Sequence, residues 1–124
     1  MFLNVDLELA SKDNLAPLVA ALGKNVVVLH AVRHRGRHKV NLELSGSPKT
    51  ASAGITRFVK LLHRLPGPAR RLWVRASVRD FNVGVRAGLE PHSAEFILEK
   101  KVLNEVVRLG GGLVFTVYPF SPEN

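Results

Sequence analysis

The sequence predicts an α+β fold: a two-layer sandwich whose mainly antiparallel sheet carries three helices on one face. Three observations carry this reading. Apolar and polar residues alternate in several short runs, the pattern of strands with one wet face. Between those runs, apolar residues recur at helical spacing. The order of the runs opens β-α-β-β-α-β, the split pattern of ferredoxin-like domains. With 124 residues the chain suits a single domain, 1–124, large enough for one core.

The elements follow in order. Leu3, Val5, Leu7 and Leu9 alternate with Asn4, Asp6 and Glu8, giving a half-buried first strand. Leu15, Leu18, Val19 and Leu22 have helical spacing; Asp13 or Asn14 can cap this helix and Gly23 can end it. Asn25 to Val32 is apolar on both faces and reads as a central strand. His34-Arg35-Gly36-Arg37 is a turn with Gly36 at positive φ, and Val40, Leu42 and Leu44 complete a hairpin.

Ser47-Pro48 then opens a second helix with the stripe Ile55, Phe58, Val59, Leu62 and Leu65, ended by Pro66-Gly67-Pro68. Leu72, Val74, Ala76 and Val78 alternate with Trp73, Arg75, Ser77 and Arg79 as a further strand. Phe81 to Ala87 is extended again, so residues 71–87 form either one bent strand or a hairpin. Ser93 caps a third helix that buries Leu98, Val102, Leu103, Val106 and Leu109; Gly110 to Gly112 end it, and Leu113 to Tyr118 form a last strand. The uncovered sheet face would hold Asn4, Asp6, Glu8, Lys39, Asn41, Glu43, Arg75, Ser77 and Arg79.

This layout resembles the bacterial domain of unknown function 4279 family. The matching parts are the first helix ending Leu22-Gly23 and the second ending Leu61-Leu62-His63-Arg64-Leu65. The run Leu103-Asn104-Glu105-Val106-Val107-Arg108-Leu109-Gly110 leading into Val114-Phe115-Thr116-Val117-Tyr118 is the third. The resemblance implies a small binding domain, similar to proteins found beside bacterial toxins, with an immunity-like or regulatory role and no catalytic residues.

Composition narrows the functions. The chain has no cysteine, which excludes disulfides, Cys-ligated zinc, iron–sulfur clusters and thiol catalysis. The start has no basic region before a long apolar run, and no apolar run is long enough to span a bilayer. A cytoplasmic protein without cofactor is expected. The net charge is +8, concentrated between Asn14 and Arg79, where 13 Lys/Arg face one acid, Glu43. Such a field attracts acidic partners; a solvated surface is the alternative.

Three basic sets are candidate binding residues. Arg33, Arg35, Arg37 and Lys39, with His30, His34 and His38, form the densest cluster, at the hairpin tip. Long cations there can grip an acidic protein or phosphates, or simply keep the turn wet. Three imidazoles four residues apart would suit a metal on a helix, but not on a strand-turn-strand. Arg57, Lys60 and Arg64 line one side of the second helix. Trp73, Arg75 and Arg79 on one strand face could stack and pair with bases, or Trp73 could anchor a homodimer or a helix edge. An acid–base pair could be assembled from His92 and Glu95, but nothing orients them, and no Gly-x-Ser-x-Gly turn or phosphate loop is present. The reading is a non-enzymatic binding domain for an acidic protein partner. A nucleic-acid binder is second, and a small hydrolase or ligand-binding enzyme third.

Overall fold

A computed structural model describes residues 1–89 and 93–120. Five strands form one sheet: β1 (Phe2–Ser11), β2 (Val26–His34), β3 (Arg37–Leu44), β4 (Val78–Arg86) and β5 (Gly112–Tyr118), in the order β2-β3-β1-β4-β5. The pairs are antiparallel except β4 with β5, which is parallel. Four helices complete the fold: α1 (Ala16–Leu22), α2 (Ala51–His63), α3 (Gly67–Arg75) and α4 (Lys100–Arg108). The α+β class and the ferredoxin-like start hold, with one helix more than expected.

Period-two alternation sets the inner face of the sheet. Val5, Leu7 and Leu9 of β1 register against Leu42 and Val40 of β3 and against Phe81 and Val83 of β4. All seven are buried, with Leu18 and Leu22 of α1 and Ile55, Phe58 and Leu62 of α2 packed in the same core. The Phe58 and Phe81 rings meet edge-on at 6.2 Å, a favourable aromatic geometry. At Gly54, a Cβ would stand 2.9 Å from Val5 Cγ2, so glycine lets α2 lie close on β1.

Several boundaries differ from expectation. Asn25–Val32 is not central: β3 lies between β2 and β1, so β2 is an edge. Only its first residue, Val26, is buried. The cap of α2 is Thr50, whose Oγ1 accepts from Ala53 N at 3.0 Å, rather than Ser47. Neither candidate for α1 is its N-cap residue, although Asn14 Oδ1 accepts from Ala16 N at 2.9 Å.

The largest correction concerns residues 67–79. Pro66-Gly67-Pro68 ends α2 and at once starts α3, because proline is tolerated in a helix's first turn. Ala69, Trp73 and Ala76 are buried at helical spacing, which wins over the alternation of Leu72, Val74 and Ala76. Residues 71–87 are therefore a helix end followed by one strand, neither a bent strand nor a hairpin. Trp73, Arg75, Ser77 and Arg79 do not share a strand face, and of the expected open-face residues these last three leave the set. The third predicted helix starts at Lys100 rather than Ser93, and Leu103 is exposed while Val102 and Val106 are buried. No helix among the described residues is long and apolar enough to cross a membrane.

Candidate functional site

The β2–β3 hairpin combines an uncovered apolar strand with a cationic tip. Its turn is two residues, Arg35 and Gly36, at φ 51° and 75°. Positive φ at both positions belongs to the mirror-image turn that matches strand twist. Glycine adopts it without cost, but arginine does not. Along β2, Val27, Val28, Leu29 and Val32 are 40–48% exposed. The ladder with β3 shifts register between Val28 and His30, so Leu29 is a bulge; from His30 to His34 pairing is regular.

Beneath the hairpin, on the helix side, lies an open groove of about 510 Å³. Leu15, which precedes α1, Val19 of α1, and Val28, Ala31 and Val40 line it, with Arg33, His38 and Lys39 at the hairpin. The groove exists because α1 is only seven residues long and leaves β2 uncovered. The histidines do not converge. His30 and His34 alternate onto the open face, His38 borders the groove, and no set of metal-ligating side chains is found among the described residues.

The remaining candidates are held elsewhere. Arg37, at the tip, donates to Ser77 Oγ at 2.9 Å and ties the hairpin to the body of the sheet. Arg57 lies over Gly46, and Arg57 and Lys60 border a second groove, of about 590 Å³, between α2 and α4. Arg64 is the C-cap of α2. Neither of these two larger grooves holds residues of both basic sets. Trp73 is buried, and its indole N–H donates to Leu109 O at 2.9 Å, so it anchors α3 against the end of α4. Arg75 pairs with Asp13 at 2.8 Å. Arg79 donates to the carbonyls of Val74, Gly110 and Trp73 at 2.9–3.2 Å, capping α3 and the turn after α4. His92 lies outside the described residues.

Two features had only a partial signal in sequence. The exposure of β2 was implicit in the split β-α-β order, which places the third strand between the first and the second. Across the open face, Asn82 Nδ2 donates to Glu8 Oε1 at 3.1 Å and Thr116 Oγ1 donates to Asn82 Oδ1 at 2.8 Å. Asp6 sits among these groups opposite Glu43, with Oδ1 buried and without a hydrogen-bond partner among the described residues. Burial first, then Glu43 and Glu8, push its carboxyl up to about 6. Alternation put Asp6 and Glu8 on one face, but only strand pairing brings Glu43 beside them. On the opposite layer, His63 Nε2 donates to Glu105 Oε2 at 3.0 Å, linking α2 to α4 and holding the Glu105 carboxyl below its ordinary range.

Comparison of the chain with protein-family models, curated proteins and solved structures finds no match.

Proposed function

We propose that this chain is a non-enzymatic binding domain that engages an acidic protein partner through the β2–β3 hairpin. One observation carries the reading: an uncovered apolar edge strand runs directly into a tip bearing Arg33, Arg35, Arg37 and Lys39. Aliphatic side chains gain nothing from a phosphate backbone, but they supply the desolvated centre of a protein interface. Cations around them steer an acidic partner and set orientation. The buried position of Trp73 removes the stacking residue that favoured nucleic acid. Arg35 held at positive φ, where Asn or Gly would fold better, fits a side chain kept for contact rather than for the turn. The immunity-like or regulatory role implied by the family resemblance stays within this reading as a proposal.

The test compares an acidic peptide carrying valines with a mixed-sequence DNA duplex, at low and physiological salt. The peptide should bind the wild-type protein and keep most of its affinity as salt rises, because apolar contact is unscreened. An Arg35→Ser plus Arg37→Ser variant should associate about tenfold more slowly at low salt, with dissociation little changed. Duplex binding that persists at physiological salt with sequence preference would transfer the hairpin to nucleic acid.

A further inference from the structure

We propose that the outer edge of β2 accepts an added strand: an extended peptide of alternating apolar residues, with carboxylates where it passes the hairpin tip. This rests on the reading above and names its mode and ligand chemistry.

The backbone of β2 is set up for pairing. Among the described residues, β3 is its only neighbour. In a two-residue hairpin the flanking pair, here His34 and Arg37, exchanges both ladder bonds, and bonding alternates from there. Ala31 and Arg33 therefore direct their N–H and C=O groups away from β3, toward the open edge. They lie in the regular stretch beyond the Leu29 bulge. Sheet edges are usually blunted by proline, by shortness or by charges along their length. β2 is nine residues long, has no proline, and confines its cations to Arg33 and the turn.

The side chains choose the occupant. Alternate residues of an added strand would lean toward the groove floored by Val28, Ala31, Val40 and Val19. At the tip they would meet Arg33, Arg35 and Lys39, and Glu43 is the only acid of the hairpin. That charge disfavours a second copy, which would bring the same cations and a net +8 with it, and favours a strand carrying Asp or Glu. Main-chain bonds would supply affinity and the groove side-chain preference, as in other strand-addition sites.

The experiment uses the full chain and a capped, labelled peptide alternating Val with Glu. Two further versions carry N-methyl groups on one or the other alternate set of residues. Strand addition predicts that one methylated set loses at least about tenfold in affinity while the other stays within about twofold, since only one set faces β2. On the protein, Ala31→Pro should give the same loss, because it removes an outward donor and no ladder bond. Equal effects of the two methylated sets would overturn strand addition, as would a folded Ala31→Pro chain that binds like the wild type. If the Arg35→Ser plus Arg37→Ser variant still loses binding in that case, the hairpin remains the interface and only the mode is wrong. A wild-type chain that binds no acidic peptide removes both proposals. The methylated peptides need no variant protein, so a misfolded Ala31→Pro leaves the test intact.

Discussion

Asp6→Asn should stabilise the fold at neutral pH. Asp6 lies mid-strand on the open face, opposite Glu43 of β3 and Asn82 of β4, with Glu8 two residues along. Its carboxyl is pushed from 3.8 up to about 6, first by burial and then by Glu43 and Glu8. Because the folded value lies above the unfolded one, the folded chain holds this proton more tightly. The contribution is full below about pH 4, is lost as pH rises toward about 6, and stays lost at pH 7. The displacement sets a ceiling of about 3 kcal/mol. The group is only partly buried and water screens it, so about 1 kcal/mol is expected. Asn keeps the shape, removes the charge and can donate to Glu43 or Glu8. Urea unfolding of both proteins between pH 4 and pH 7 is the assay, since urea leaves the electrostatics unscreened. The difference in stability should be near zero at about pH 4 and reach about 1 kcal/mol at pH 7. A variant that is less stable at pH 7, or a difference independent of pH, would refute the reasoning.

Arg35→Asn should stabilise the chain by about 0.5–1 kcal/mol, because Asn tolerates the positive φ that Arg35 now adopts. It should do so while weakening binding of acidic peptides, which separates the turn's fold requirement from its charge. Gly54→Ala should destabilise by about 1–3 kcal/mol in chemical unfolding, despite alanine's better helix propensity. Its Cβ would meet the stiff, buried Val5 at 2.9 Å; a stabilised variant would show that α2 can lift off β1 freely. Trp73→Phe should cost about 1–3 kcal/mol by leaving Leu109 O without its donor and thinning the contact between α3 and α4. A loss below about 0.5 kcal/mol would mean that water replaces the indole there.

Much of the architecture was legible locally. The inner face of β1 follows from alternation alone, because a one-residue slip would put Asp6 and Glu8 in the core. The hairpin turn follows from Gly36, and the buried stripe of α2 from the spacing of Ile55, Phe58, Val59 and Leu62. Along the chain, the basic hairpin tip was also visible as a cluster. Residues 67–79 were misread because leucine, valine and alanine there satisfy both periods. The helix wins through packing: Ala69 and Trp73 are buried and the indole finds Leu109 O, a contact spanning 36 residues of chain. The candidate site needed the same non-local information. Val27, Val28, Leu29 and Val32 look like core residues in sequence, since a run of β-branched apolar residues reports a strand and not its neighbours. Val28 is exposed because β3 inserts beside β1 and α1 is too short to cover the strand left outside, whereas Val27 and Val32 register with Glu43 and Lys39 on the open face. Arg79, alike in sequence to the tip arginines, is drawn to the carbonyl ends of two helical segments that only folding brings together. The period of a segment decides what it becomes, but its exposure depends on partners distant in the chain, and those are chosen by the assembled sheet.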